Sequence, residues 1–489
     1  MKKTTFYILI VTVLLPSVCL FGQNNTGKIT WGPISTDDKG LHDWGMIGNA
    51  KDGFVRIFEQ IHTPAGSIII ANGSHGHYDL RLRGMNAEMK PTLSSIFDEV
   101  KLQNEAYTEA IIQMKNNAFW VYTTRANKKT QFYVYKINIK SASLEGSPIL
   151  IGESEMHAHP ISPKISMDSS RLLILYSQTL LLEDEDKVGV IVFDQQSLKS
   201  NSFELHLAPA KSKTEIYDSY IDRTGRVFIL ANVNKYHEKN FMPVLFKFDN
   251  KASSPESIPV DIGDKKLQSL RLSEDSKGNI NILGYYYHKD TYIIQGLFMT
   301  SLNPTSNSFD KIKKGNYEIP EEYILLKEPA RAKKKSAKGV QDITADKLRT
   351  DDMEVTSLID FSDGSITVMG ESRHSFFNAQ ASFQCFGDII IVHIKPNGDL
   401  AWIKSIPKDQ KFQKDEGGGI PAGACSYKSL IEGNNLYVIY QDDPRNDSAD
   451  PKEIPETYFG GITNLYCLKF DDSGQMTKTI LQKTKDYKV

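Results

Sequence analysis

The stretch Lys277-Gly278-Asn279-Ile280-Asn281-Ile282-Leu283-Gly284 sets a two-residue turn directly against a short apolar strand. Gly accepts the positive φ of a tight hairpin turn without steric cost, and the following Ile/Leu run suits a buried strand. The same unit recurs along the chain. Asp52-Gly53 precedes Phe54–Phe58, Asn116-Asn117 precedes Ala118–Tyr122, and Ser169-Ser170 precedes Arg171–Tyr176. Thr224-Gly225 precedes Arg226–Ala231, Asp363-Gly364 precedes Ser365–Gly370, and Gly433-Asn434 precedes Asn435–Tyr440. An approach strand leads into each turn. Most copies are followed by a further strand, among them Phe132–Ile139, Val188–Phe193, Pro243–Phe248, Ile389–Ile394 and Leu465–Phe470.

Seven short-strand units of this kind predict an all-β chain with radial repetition, a β-propeller of seven blades. The physical reason is edge and face management. One small sheet cannot bury both of its faces, but stacked blades cover each other. Six or eight blades fit the same spacing, and a pair of β-sandwiches is the structural rival. Three stretches interrupt the pattern as insertions: 311–352, with the basic run Arg331-Ala332-Lys333-Lys334-Lys335; 407–424, rich in Lys, Asp and Gly; and 442–458, with Asp442, Asp443 and Asp447. Long loops on a β scaffold are common places for binding. The basic run reads as a solvated loop, since surface charge needs no partner.

The composition narrows the class. With 489 residues, 40% hydrophobic and 24% charged, the chain is globular and long enough for several small cores. Its net charge of −2 offers no surplus of Lys and Arg with which to displace phosphate counterions, so nucleic acid is not expected as a partner. Lys2 and Lys3, the apolar run Phe6–Leu15, Pro16 and small Gly22 read as a secretory signal peptide over 1–22. The mature domain is then 23–489, a single propeller with its insertions, secreted or periplasmic. No later stretch reaches eighteen consecutive apolar residues, so no transmembrane segment is expected after signal removal. Val18 and Pro16 precede Cys19 where a lipidation motif has a small residue and Leu, which argues against a lipid anchor. Cys385, Cys425 and Cys467 remain, an odd number with no Cys-x-x-Cys pair, so most are expected to be unpaired.

One segment carries a resemblance. Gly387-Asp388-Ile389-Ile390-Ile391-Val392-His393-Ile394-Lys395 leads to Trp402 and Lys404, then to Ile406-Pro407-Lys408-Asp409-Gln410. Ser426-Tyr427 and the strand Asn435–Asp442 follow, and Met369-Gly370-Glu371 stands upstream. This segment resembles a group of uncharacterised secreted proteins of Bacteroidota with β-propeller-like repeats, over roughly 355–471, and a signal ending in Phe-Gly-Gln is similar to signals common in that phylum. The resemblance implies location and fold, and no chemistry.

Motifs for chemistry are sparse. His75-Gly76-His77 and His157-Ala158-His159 each place two imidazoles two residues apart, but a metal site needs three or four converging ligands, so neither pair is expected to bind metal. Asp442-Asp443 with Asp447, and Glu183-Asp184-Glu185-Asp186, lack the alternating acids, central Gly and closing Glu of a calcium loop. No Gly-x-Ser-x-Gly, P-loop or dinucleotide fingerprint is present, and no cofactor is expected.

The repeat itself supplies the candidate site. In a propeller the approach strand of each blade lines the axial channel, and equivalent strand starts share one mouth. Six residues before each turn stand Met46, Ala110, Pro163, Asp218, Arg271, Ser357 and Tyr427. With Glu109, one residue earlier, the polar members Asp218, Arg271, Ser357 and Tyr427 are the ligand-binding candidates. The expected function is non-catalytic binding or scaffolding, with a protein or glycan ligand. The alternative is a glycan-active enzyme of the glycoside hydrolase type, which needs two carboxylates across a cleft. Glu109 and Asp218 would be that pair.

Overall fold

The computed structural model describes residues 41–49, 51–62, 77–86, 90–97, 106–115, 117–126, 129–155, 158–177, 187–207, 212–235, 243–249, 255–263, 265–287, 294–309, 315–320, 323, 353–361, 363–377, 382–413, 426–447, 455–458 and 463–483. These residues form thirty strands in seven antiparallel sheets. Each sheet is a blade whose strands follow one another as a meander, and seven such blades make this a β-propeller fold.

The chain divides into two compact units, Met1–Pro259 and Val260–Val489. The first holds four blades. Blade 1 is β1 (Leu41–Asn49), β2 (Gly53–His62), β3 (His77–Met85) and β4 (Pro91–Phe97). Blade 2 is β5 (Ala106–Met114), β6 (Asn117–Ala126), β7 (Lys129–Asn138) and β8 (Ser143–Ser154). Blade 3 is β9 (His159–Ile165), β10 (Arg171–Ser177), β11 (Lys187–Asp194) and β12 (Lys199–His206). Blade 4 is β13 (Ser212–Ile221), β14 (Val227–Lys235), β15 (Pro243–Phe248) and β16 (Glu256–Pro259).

The second unit holds three blades. Blade 5 is β17 (Lys266–Glu274), β18 (Ile280–Tyr287), β19 (Ile294–Asn303), β20 (Ser308–Phe309) and β21 (Gly315–Glu318). Blade 6 is β22 (Met353–Asp360), β23 (Ile366–Phe377), β24 (Ser382–Ile394), β25 (Leu400–Ile406) and β26 (Gln410–Gln413). Blade 7 is β27 (Tyr427–Glu432), β28 (Asn435–Asp442), β29 (Asn464–Phe470) and β30 (Met476–Lys483).

The turn-anchored apolar strands are the second strand of every blade, and the strands that follow them are the third. Gly278 has φ +83°, the left-handed conformation that an L side chain rarely adopts. Asp275 fixes that turn by accepting from the backbone N–H groups of Lys277 and Asn279.

Within each unit, neighbouring blades bury their faces against one another. Leu283, Tyr285, Leu297 and Met299 of blade 5 pack on Val355, Val368, Ile390 and Val392 of blade 6. Met369, Ile389 and Ile391, on the other face of blade 6, pack on Leu436, Val438, Tyr440 and Leu468 of blade 7. Blades 2 and 3 join through Phe119, Phe132, Ile174 and Phe193, and blades 3 and 4 through Leu173, Val190, Ile229 and Phe246. Gly370 leaves room for the Tyr285 ring of blade 5, with which any Cβ would collide.

The stretch 407–424, read as an insertion, begins differently. Gln410–Gln413 is strand β26 and pairs with Phe383–Phe386 of β24, and Lys408 is fully buried. Within 311–352, Gly315–Glu318 is β21, paired with β19. The signal segment, the basic run, Cys425, Glu183–Asp186, and the side chains of both His pairs lie outside the described residues. Neither Cys385 nor Cys467 is in a disulfide among the described residues. Among the described residues, no helix is long and apolar enough to cross a membrane, and no three His, Cys, Asp or Glu side chains are grouped to hold a metal ion.

Candidate functional site

Besides blade 3, where the shift lies between Ile161 and Lys164, the first strand of five blades shifts register before or near its middle. The shifts fall between Asp43 and Gly45, Thr108 and Ala110, Ile216 and Asp218, Leu267 and Ser269, and Val355 and Ser357. A bulge re-aims the side chains beside it. Glu109 and Thr356 are themselves bulge residues, and Asp218 and Ser357 directly follow one. In blade 7 the equivalent place is Ser426, a non-glycine residue at φ +63° just ahead of β27. Backbone held in this sparsely populated region persists only where its surroundings fix it.

The sequence candidates fall into both units. In the first, Glu109 accepts a hydrogen bond from Thr123 Oγ1 at 2.7 Å. Asp218 is buried and ion-paired with Lys164 Nζ at 2.7 Å. In the second, Arg271 is half-buried, opposite Leu283 in the register, with Nη1 3.5 Å from the Leu270 carbonyl. Ser357 and Tyr427 meet across the blade 6–blade 7 seam. The Tyr427 hydroxyl is hydrogen-bonded to Thr356 and to Ser357, while burial pushes it up to about 12 against those two bonds.

Next to Tyr427 lies a polar cluster that the candidate set does not contain. Glu371, on β23, is fully buried. Its Oε1 accepts from Lys408 Nζ at 2.6 Å. Its Oε2 accepts from Arg373 Nε at 2.8 Å and from Ser426 Oγ at 2.5 Å. Arg373 also donates from Nη2 to Ser426 Oγ at 3.2 Å. Its Nη1 approaches Glu354 Oε2 at 3.5 Å. Glu354 and Glu371 stand directly opposite each other on β22 and β23, an arrangement of like charges that would be unfavourable alone. Arg373 answers it by touching both.

Lys408 is held as firmly. Its Nζ also donates to Gln410 Oε1 at 3.1 Å, and its backbone N–H donates to Asp388 Oδ1 at 3.0 Å. The Gln410 side chain is buried and spans the seam: Oε1 accepts from the Ser426 N–H at 2.7 Å, and Nε2 donates to the Gln441 carbonyl at 2.6 Å. This accounts for the backbone of Ser426, whose N–H and hydroxyl are both fixed by blade 6.

The network continues into the segment after β28. Asp442 Oδ1 accepts from the Asp443 N–H at 2.8 Å and from Asn446 Nδ2 at 3.0 Å. Burial raises the Asp442 carboxyl to about 7, against the pull of those bonds and of Lys408 and Lys478. Asn446 clamps Glu456 through both backbone groups, and Tyr458 exchanges backbone hydrogen bonds with Asp409 and Lys411 beside β26. The 442–458 segment is thus tied back onto blade 6 at these residues.

Glu371, Asp388, Lys408, Gln410, Ser426 and Asp442 all lie within 371–442. Their convergence had one signal in the sequence: a Lys and a Gln placed between a Trp-containing strand and an apolar one. At the opposite, turn end of blades 5 and 6 is a small cleft of about 120 Å³ that includes Asp275, Lys277 and Asp363. Asp275 and Asp363 are occupied with their own turns. The blade 6–blade 7 cluster is therefore the better candidate site.

No protein-family model matches the chain, and no curated protein matches it. Solved structures do. The β-propeller domain of the Trilobed protease from Pyrococcus furiosus is 10% identical with a TM-score of 0.40, covering 92% of this chain and 98% of that one. Dipeptidyl peptidase 4 of Porphyromonas gingivalis is 9% identical with a TM-score of 0.39, over 90% of this chain and 52% of that one. The WD40 domain of SCAP from fission yeast is 8% identical with a TM-score of 0.34, over 91% and 87%.

Proposed function

We propose that this protein is a secreted or periplasmic binding or scaffold protein that engages a protein or glycan through the strand-start rim of its blades, without turnover. The observation that carries this reading is the sealing of Glu371. It is fully buried, and three donors occupy its two oxygens, so it serves to hold Arg373 and Ser426 in place rather than to meet a substrate. What reaches solvent belongs to the Arg373 and Glu354 side chains, which are 30% and 42% exposed. A charged pair on a rigid strand rim loses little entropy on binding.

The glycan-active alternative draws on Glu109 and Asp218. Asp218 is only 4% exposed and ion-paired, and Glu109 is hydrogen-bonded to Thr123, which suits neither for attack on a sugar. Export is supported by the Lys2-Lys3 and Phe6–Leu15 pattern. The test has two parts. N-terminal mass analysis after expression in a secreting host should find cleavage near Gly22. Incubation with polysaccharide and peptide panels should yield no product. Hydrolysis abolished by Glu109→Gln, Asp218→Asn or Glu354→Gln would overturn the reading in favour of an enzyme.

A further inference from the structure

We infer that the Arg373–Glu354 pair is a recognition site for a neutral sugar, read through two adjacent hydroxyls. The inference rests on the proposed binding function and assigns it a place and a ligand class.

The argument begins with hydrogen-bonding capacity. A guanidinium has five N–H donors. Arg373 commits Nε to Glu371, one Nη2 hydrogen to Ser426, and points Nη1 towards Glu354 at 3.5 Å. Two donors remain, on a side chain that is 30% exposed. Glu354, 42% exposed, brings carboxylate lone pairs to the same rim. A vicinal diol both accepts and donates, so one hydroxyl can take an N–H from Arg373 while the next gives its proton to Glu354.

Charge selects against the other classes. Glu354 and Glu371 are two negative charges beside Arg373, with Lys408 behind them, so the four groups balance. An anionic ligand drawn to Arg373 meets Glu354 at the rim. A cationic one drawn to Glu354 meets Arg373. A neutral polyhydroxylated ligand meets neither penalty.

Preorganisation is the third point. Bidentate recognition by Arg depends on a fixed guanidinium plane. That plane is fixed here by Glu371, which is fixed in turn by Lys408, and by Ser426, whose backbone is pinned by Gln410. The rotamer entropy of Arg373 is thus lost on folding and is not charged to binding.

The experiment is calorimetric titration of the full chain with maltose, cellobiose, xylobiose, mannobiose and galacturonate at millimolar concentration. The Arg373→Ala and Glu354→Gln variants are run beside it, with thermal midpoints as fold controls. At least one neutral disaccharide should bind, galacturonate should bind more weakly, and Arg373→Ala should weaken the neutral sugar tenfold or more. Glu354→Gln should narrow or reverse the preference against galacturonate. Tighter binding of galacturonate by the unaltered chain, lost in Arg373→Ala, would overturn the neutral-sugar inference while leaving a binding rim in place. Sugar binding indifferent to both substitutions would overturn the assignment to this rim, and no binding by any of the five would overturn the inference as a whole.

Discussion

Glu371 and Lys408 face each other at 2.6 Å, and neither side chain is exposed to solvent. They come from β23 and from the link between β25 and β26, so the pair ties the middle of blade 6 to its outer edge. Removing two charges from water costs several kcal/mol per ion before their attraction is counted. The pair is tolerated because the remaining capacity of each group is filled: Glu371 by Arg373 and Ser426, Lys408 by Gln410.

Breaking that pair from one side should therefore be costly. Lys408→Met or Glu371→Gln alone should destabilise the second unit by about 3–5 kcal/mol, since each strands a buried partner. The double variant should lose clearly less than the sum of the two. Denaturant titration of the four chains gives the coupling directly, and additivity would mean the two side chains do not interact in solution.

Asp442 predicts a pH dependence. Its carboxyl is raised from 3.8 to about 7 by burial. A group raised on folding contributes stability that is fully present below its unfolded value and is lost as pH rises through its folded value. The native chain holds a proton at Asp442 that the unfolded chain has released, so this contribution falls between about pH 4 and about pH 7 and stays low above. Asp442→Asn keeps an acceptor oxygen for Asn446 without ionising. Its stability relative to the unaltered chain should rise across that window, by on the order of 2 kcal/mol. Thermal midpoints of both chains at about pH 5 and about pH 8 measure it, and an unchanged difference would mean Asp442 titrates normally.

The turns that betrayed the blades did so because a hairpin's geometry is local. Asp275 and Gly278 set their own loop, and the apolar run after it is buried on both faces, so both signals lie in adjacent residues. Counting back from a turn found the first strand of each blade but not its start. Ala110, Asp218, Arg271 and Ser357 lie well inside β5, β13, β17 and β22, and of the candidates only Tyr427 opens its strand, although Ser357 and Tyr427 do meet. The outer strands were not legible. β12 and β16 are mostly exposed, so nothing in their residues distinguishes them from polar loops. The same holds for Lys408 and Gln410: Lys, Asp and Gln after Pro407 read as solvent-facing, and only the long β23–β24 hairpin, with blade 7 beside it, encloses them.

Gly370 tests the packing between blades 5 and 6. A methyl group there would run into the Tyr285 ring, which is fully buried and reaches the Ile390 carbonyl with its hydroxyl at 3.4 Å. Gly370→Ala should cost about 1–3 kcal/mol through overpacking. In the Tyr285→Ala background the same change should cost less, because the ring is gone. Equal costs in both backgrounds, read from denaturation midpoints, would place the strain elsewhere.

Ser426 separates backbone from side chain at the candidate site. Its φ of +63° is unfavourable for an L residue by about 1–2 kcal/mol, and Gly relieves that. Its hydroxyl donates to Glu371 and accepts from Arg373, and any residue without it leaves a buried carboxylate one donor short. Ser426→Gly loses the hydroxyl but gains the backbone relief, whereas Ser426→Ala loses the hydroxyl and keeps the strain. Ser426→Ala should therefore be the less stable of the two by about 1 kcal/mol. Their effects on the rim should be alike, since both free the same Arg373 hydrogen and the same Glu371 lone pair. If Ser426→Gly instead proves the less stable, the left-handed backbone is not strained. Gln410, which bonds the Ser426 N–H, would then set that conformation at no cost.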